Sequence, residues 1–386
     1  MESRVALIVG AGIGGLAAGV ALQRAGWSVR IFERAAHPRE LGFALLLAPN
    51  AVVSLERLGL AERVVEQGCR MDAGDIRGTN GRLLRRFDMG RVRHLLPQPA
   101  VVVLRPALHG VLLDAVGKQH LRLASEARGF SFQDGKPVVH LANGERAEGD
   151  VLIGADGVAS VIRRGLHPHE PPPRRSGLWA VRGVAQDLAP RVVGPIGAQY
   201  FGRGTEAGLA RAGENAVYWY ISVRADQLDG SRDAEAIARR CSDQFDAGFQ
   251  SAVSATRRED MRLDELLDRD PIATWGRGRV TLLGDAAHPM LPHAGQGAAQ
   301  ALEDAVALGH VLAGAVDVER ALRRYEHVRA RRTRGIVHLA RRNARIGAIR
   351  NGVGQKMRDL LIQAVPASVF TRAYVEFGNP PLVGQR

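Results

Sequence analysis

The feature that most constrains this chain lies in its first 33 residues. Val5–Val9 is a β-branched apolar run of the kind that forms a buried parallel strand, and Gly10-Ala-Gly12-Ile-Gly14-Gly15 follows it directly. The pattern predicts a helix over Leu16–Ala25, ended by Gly26, then a second strand over Ser28–Phe32 with Glu33 at its end. G-x-G-x-x-G between a strand and a helix, with an acid eighteen residues beyond Gly15, is the signature of a βαβ unit that binds a dinucleotide. Glycines let the backbone approach a pyrophosphate. The helix N-terminus favours its charge, and the acid accepts a ribose hydroxyl.

Beyond this unit, apolar runs alternate with helical stretches. Strands are expected at Val101–Leu104, Val151–Ile153 and Val280–Leu283, with Leu121–Leu123 and Val138–Leu141 read as a hairpin. Helices are expected over Pro106–Val116, Ala234–Phe245 and Gln296–Leu312. Between 176 and 224 the strands lengthen (Leu178–Val184, Gln199–Gly202, Val217–Val223) and aromatic residues concentrate, including Trp179, Tyr200, Tyr218, Trp219 and Tyr220. That combination implies an antiparallel sheet with one face available to hold something flat. The resulting fold class is α/β. A Rossmann-like domain with a parallel sheet (1–75, 98–175 and 271–345) is interleaved with an antiparallel-sheet substrate domain (76–97 and 176–270), followed by a C-terminal helical segment (346–386).

The net charge of +13 invites a nucleic-acid or membrane reading until it is mapped. Residues 320–350 hold eleven Arg and one acid, Glu326, and so carry +10 of it, while residues 1–319 are close to neutral at +1. The arginines of 323–350 read as a solvated helix face, and no nucleic-acid partner is expected. No apolar stretch reaches eighteen residues, so no membrane span is expected, and no secretory signal pattern follows Met1. Two cysteines, Cys69 and Cys241, cannot form a disulfide framework, which suggests a reducing, cytoplasmic setting. No metal site is expected.

Two further motifs join the first: Asp156-Gly157-Val-Ala-Ser160-Val-Ile-Arg163, and Gly284-Asp285-Ala-Ala-His288-Pro289 continuing through Pro292 and Gly295-Gln296-Gly297 to Glu303-Asp304. In this order the three motifs resemble those of the class A FAD-dependent monooxygenases, the family with the p-hydroxybenzoate hydroxylase fold, and most of all its salicylate-hydroxylase-like branch. The resemblance implies FAD as cofactor, NADH or NADPH as co-substrate, and transfer of one atom of O₂ to an aromatic or apolar small molecule. It places Gly10, Gly12, Ile13, Gly14 and Gly15 at the FAD pyrophosphate, Glu33 at the adenosine ribose, and Arg34 and Ala127 beside the adenine. Arg39 and Arg105 would reach the cofactor. Asp156 would serve both FAD and NAD(P)H, and Asp285 would hold the ribityl hydroxyls. Pro292, Gly295, Gln296, Gly297 and Ala298 would lie along the flavin ring, where a helix N-terminus stabilises the anionic reduced form. His288 is expected to order its turn, and Glu303-Asp304 to serve structure.

Candidates for the substrate side are Arg182, Tyr218, Tyr220 and His293. Tyr218 and Tyr220 should share one strand face, with Trp219 on the other. The run Phe43–Leu47 is apolar where some relatives carry a polar side chain, which argues against a general base from this loop and for an apolar or electron-rich substrate. A reductase or dehydrogenase of the same fold is the alternative. A basic nucleic-acid-binding protein is a weaker one, since it leaves three flavin motifs unexplained.

Overall fold

The computed structural model describes residues 4–37, 43–88, 95–96, 98–188, 197–366, 368–369, 375 and 378. Among these, four sheets form. The first is all-parallel, in the order β18-β12-β1-β2-β8, from β1 (Val5–Val9), β2 (Ser28–Phe32), β8 (Leu121–Arg122), β12 (Val151–Gly154) and β18 (Val280–Leu282). Its central strand is Val-Ala-Leu-Ile-Val because helices cover both of its faces, and Ala6, Leu7 and Ile8 are fully buried. Two three-stranded sheets flank it: β3 (Ala44–Leu47), β7 (Val101–Leu104) and β4 (Cys69–Arg70); and β9 (Ala127–Gln133), β10 (Lys136–Leu141) and β11 (Arg146–Glu148).

The fourth sheet has seven strands in the order β17-β13-β16-β15-β14-β5-β6. They are β5 (Ala73–Arg77), β6 (Leu83–Asp88), β13 (Arg174–Ala185), β14 (Gly197–Phe201), β15 (Thr205–Arg211), β16 (Val217–Arg224) and β17 (Met261–Asp268). All its pairs are antiparallel except β5–β14, which is parallel.

The helices are α1 (Ile13–Arg24), α2 (Pro49–Arg57), α3 (Ala61–Glu66), α4 (Arg105–Val116), α5 (Val161–Leu166), α6 (Ala234–Ser242), α7 (Ala247–Ala255), α8 (Gly297–Leu312), α9 (Val318–Gly347) and α10 (Gly352–Ala364). One face of the seven-stranded sheet packs on α6 and α7 through Trp219, Ile221, Val223, Ile237 and Phe249. The other face meets α9 and the 291–294 segment, through Leu178, Ala180 and Leu266 against Leu291, Ala340 and Ala344 and through Ser222 against His293.

Three expectations change. The hairpin partner of Val138–Leu141 is Ala127–Gln133, while Leu121–Arg122 instead closes the parallel sheet beside β2. Arg-Gly-Phe-Ser-Phe-Gln is mostly half-exposed, so its apolar signal is weak. Strands β15 and β17 were not anticipated. The arginines of α9 also do not form one solvated face. Arg329 is buried, with Nη1 2.5 Å from Glu303 Oε2 and Nε 2.6 Å from Asp304 Oδ1, and Arg332 also pairs with Glu303. Periodicity within one helix cannot reveal partners that lie on another.

Candidate active site

The glycines of the first loop have separate physical roles. Gly10 sits at φ +103°, and a Cβ there would lie 2.4 Å from Ala155 O. A Cβ on Gly15 would lie 1.9 Å from Gly10 O, and one on Gly14 would lie 2.7 Å from Leu283 Cδ2. These three are glycines because protein packs against them. Gly12 differs: a Cβ there meets nothing within 4 Å, and its φ of −73° is ordinary. It borders open space at the N-cap of α1, whose first turn has no side-chain cap and no acid. Ile13 begins the helix and is buried in the core. Glu33 braces the loop, accepting the N–H of Ala11 on Oε2 and of Ala35 on Oε1, both at 2.9 Å. Arg34 is exposed beside it, and Ala127 is buried at the start of β9. Arg39 lies outside the described residues. His109, which the sequence did not single out, meets Ala11 O at 2.8 Å from α4.

The second and third motifs are tied together by one residue. Asp156 is half-buried and braces the start of α5, accepting from Ser160 Oγ and from the N–H of Val161 at 2.7 Å. Burial pushes its carboxyl above the usual range despite those bonds. Arg163, one turn further on, is buried and donates to Ala286 O and Ala287 O at 2.9 and 2.8 Å, so the α5 turn holds the 284–288 turn in place. On the far side of that turn Asp304 accepts from Gly284 N–H at 2.9 Å and meets His288 Nε2 at 2.6 Å. His288 therefore orders its turn, as expected, and Glu303 and Asp304 anchor a buried ionic cluster with Arg329. Asp285 points the other way. It is open to solvent yet closely surrounded by protein, so burial raises its carboxyl while His288 and Arg105 oppose the shift. A group that is both reachable and crowded lines a cleft.

The N-termini of α1, α4 and α8, which border this cleft, have no side-chain cap; α2 and α3 also lack one, while α5, α6, α7, α9 and α10 are each capped by their own Ser, Asp or Asn. Arg105 opens α4. Gln296 is the N-cap of α8, and Gly297 and Ala298 form its first turn. Added Cβ atoms at Gly295 and Gly297 would meet nothing within 4 Å. Exposed Pro292 stands just before them. Free N–H groups, a glycine-lined floor and a reachable carboxylate are the donor set a dinucleotide with a flat ring requires. The residues present fit FAD.

Three of the four substrate-side candidates, Arg182, Tyr218 and Tyr220, share one face of the seven-stranded sheet, and the fourth, His293, approaches that face from the turn before α8. Tyr218 and Tyr220 point to it while Trp219 is fully buried on the other, as the strand alternation implied. Arg182 is the register partner of Tyr220 and lies 3.7 Å from Asp264. Ser222 Oγ lies 3.0 Å from His293 Nε2, joining this face to the loop before α8. His293 is held down to about 4 by burial and by the charge of Arg182, so it is neutral near pH 7. The Tyr218 phenol is pushed up to about 12 by burial, and Tyr220 is raised by burial and by Glu206. Phe43 packs beside Tyr218, ring centroids 6.4 Å apart. Leu47, by contrast, is buried in the core and Leu46 is exposed, so only the start of that apolar run reaches this face.

Glu206 on β15 is the residue the sequence missed. Its Oε1 accepts from Gln199 Nε2 at 3.0 Å and from Tyr220 OH at 3.2 Å, and its buried Oε2 has no hydrogen-bond partner. On α9, Gly347 gives it room, since a Cβ there would lie 2.5 Å from Oε2. Burial pushes the carboxyl up to about 7 from 4.5. A raised folded-state pKa means stability that is complete below 4.5 and is lost as pH climbs through about 7. Glu206→Gln should therefore raise Tm at pH 8, by the equivalent of about 3 kcal/mol, and leave it nearly unchanged at pH 5. Thermal unfolding at both pH values checks this; equal shifts at the two would contradict it.

Residues 2–340 match the FAD-binding domain family. The chain belongs to the class A FAD-dependent monooxygenases. It is 34% identical to the aurachin C monooxygenase/isomerase of Stigmatella aurantiaca, over 92% of this chain and 93% of that one. It is 33% identical to a 3-amino-4-hydroxybenzoate 2-monooxygenase of Streptomyces platensis, over 91% and 90%. Among solved structures it superposes on Klebsiella pneumoniae HpxO complexed with FAD and uric acid with a TM-score of 0.90, at 26% identity and covering 97% and 96% of the two chains. The monooxygenase is thus an FAD-dependent oxidoreductase, and the reductase and nucleic-acid alternatives gain nothing from these relatives. Among the described residues no helix is long and apolar enough to cross a membrane.

Proposed function

We propose that this monooxygenase hydroxylates an aromatic small molecule that carries a hydroxyl or amino donor, held between the flavin and the Tyr218–Tyr220 face. The observation that carries this reading is the Ser222–His293 contact, which sets the tyrosine face directly against the loop leading to the uncapped α8 N-terminus. The aminohydroxybenzoate enzyme and the urate-bound structure among the relatives support a polar aromatic substrate. The domain division that fits is a discontinuous FAD unit (1–75, 98–175, 271–345) with the substrate sheet in 76–97 and 176–270.

FAD, when bound, would supply the redox chemistry that couples NAD(P)H to O₂. The chain does the rest. The N-terminus of α1 and Gly12 receive the pyrophosphate, Glu33 the ribose, and Asp285 the ribityl hydroxyls. The N–H groups at Gly297 and Ala298 stabilise negative charge on the ring edge. Phe43, Tyr218 and neutral His293 keep the pocket dry around the reacting carbon. Tyr220, whose proton points to Glu206, is left with its phenol oxygen to accept a hydrogen bond from the substrate donor. Arg182 offers a positive charge toward the same space. A cytoplasmic setting fits the two unpaired cysteines.

The test is a screen of NAD(P)H oxidation by the FAD-loaded enzyme against phenols, anilines, hydroxyquinolones and purely apolar ring compounds. Stimulation by donors and none by matched apolar rings is expected. The reverse pattern would return the pocket to the apolar reading of the sequence.

A further inference from the structure

Among the described residues eleven large apolar side chains are exposed, and six of them fall within residues 346–369: Ile346, Val353, Met357, Leu360, Leu361 and Val369. On α10 four of them recur at i, i+4, i+7 and i+8, with Val353 75%, Met357 57%, Leu360 61% and Leu361 60% exposed. This is the spacing of one helix face, and it is turned to solvent. The opposite face is the one that packs: Ile362 joins Ile76, Leu84 and Phe201, and Arg358 and Asp359 are buried. The helix is thus docked by its own inner side, and among the described residues the outer apolar ridge stays exposed. Isolated exposed leucines need no explanation, but a contiguous ridge does.

What surrounds the ridge is basic. Asp359 is the only acid on α10, and it is already held by Arg82 at 3.0 Å and by Arg358 at 3.0 Å. Lys356 lies on α10 itself, and exposed Arg345 and Arg350 immediately precede it. At the N-terminal end of the helix, Asn351, Arg345, Arg350, Arg224 and Arg174 line a pocket of about 670 Å³. Asp226 is shared by Arg224 and Arg350, and Asp268 engages Arg174, while Arg345 has no carboxylate partner among the described residues. An apolar ridge rimmed by arginine and lysine repels a second copy of the same face, because like charges would meet. It attracts a surface that offers both hydrocarbon and negative charge.

We propose that α10 docks this enzyme on the surface of an anionic phospholipid bilayer. The ridge Val353–Met357–Leu360–Leu361 enters the headgroup–acyl boundary, and the arginine-lined pocket beside it receives lipid phosphate. The helix lies on the bilayer without crossing it, which agrees with its 13 residues and with the basic flank of interfacial helices. The docking is independent of the substrate assignment above.

The experiment is co-sedimentation of the FAD-loaded full chain with vesicles of phosphatidylglycerol and phosphatidylcholine in equal parts, and with phosphatidylcholine alone. Binding to the anionic vesicles, reduced by salt, is expected, with little to the neutral ones. Met357→Glu with Leu361→Glu should lower vesicle affinity by about tenfold or more, with flavin content and circular dichroism unchanged. Arg345→Ser with Arg350→Ser should weaken the salt-sensitive part alone. Wild-type protein that stays in the supernatant overturns the proposal. So does a double-Glu variant that binds as well as wild type. A wild-type dimer in sedimentation velocity that becomes monomeric in the double-Glu variant also overturns it, by assigning the ridge to a second copy.

Discussion

Gly12→Val is expected to yield a folded protein that has lost FAD. The position has ordinary dihedrals and open space around its missing side chain, so the fold itself tolerates a Cβ. The isopropyl group would occupy the volume in which the pyrophosphate meets the free N–H groups of α1. An affinity loss of about 100-fold or more, near 2.7 kcal/mol, is the expected scale. Gly10→Ala and Gly15→Ala should behave differently. Each drives a Cβ into backbone, at 2.4 Å from Ala155 O and 1.9 Å from Gly10 O, so both should fail by misfolding or by low yield. Flavin absorbance after desalting, with circular dichroism alongside, separates the two modes. A Gly12→Val protein that retains its full flavin complement would show that the open space is not the pyrophosphate site.

The second large effect concerns Arg329. Its guanidinium is buried and bonded to Glu303 Oε2, Asp304 Oδ1 and Gln300 Oε1, at 2.5, 2.6 and 2.6 Å. Burial alone would raise the Asp304 carboxyl, but His288 and Arg329 more than offset this and hold it below the usual carboxylate range. Arg329→Met would leave two buried carboxylates without their main cation. Breaking a buried pair from one side costs about 3–5 kcal/mol, a large part of the stability of a domain. Because Asp304 also holds Gly284 N–H and His288, the turn that presents Asp285 should loosen and FAD retention should fall with Tm. Arg331→Ser and Arg334→Ser, on the exposed side of the same helix, should change stability by no more than about 0.5 kcal/mol. Urea unfolding of the three variants measures the contrast. A cost for Arg329→Met no greater than for its exposed neighbours would refute the buried-cluster reading.

The difference between Arg329 and Arg334 also marks the limit of reading this chain by sequence. The βαβ unit was legible because its chemistry is local: a strand, a glycine loop, a helix start and an acid within 33 residues. Tyr218, Trp219 and Tyr220 were legible for the same reason, since strand alternation alone sets their faces. Arg329 was not, because its partners Glu303 and Asp304 stand on another helix and no i,i+4 pattern exposes them. Glu206 was hidden in Thr-Glu-Ala-Gly-Leu-Ala-Arg. Only the pairing of β15 with β16, which sets Glu206 opposite Ser222 and within reach of the Tyr220 hydroxyl, reveals where this carboxylate is buried. Arg163 likewise gains its meaning from Ala286 and Ala287, more than 120 residues away. Asp156 was anticipated as a cofactor contact, and its carboxylate is seen bracing the start of α5 and the motif.

One atom of O₂ is expected to enter the substrate beside the Tyr218–Tyr220 face. Single turnover with an accepted substrate under ¹⁸O₂, with product mass read directly, tests it most directly. One labelled oxygen per product is expected, with none from labelled water apart from exchange. NAD(P)H oxidation should accelerate when substrate is present, and the idling enzyme should release hydrogen peroxide slowly. Unlabelled product, or product formed equally well without oxygen using another electron acceptor, would contradict the monooxygenase assignment.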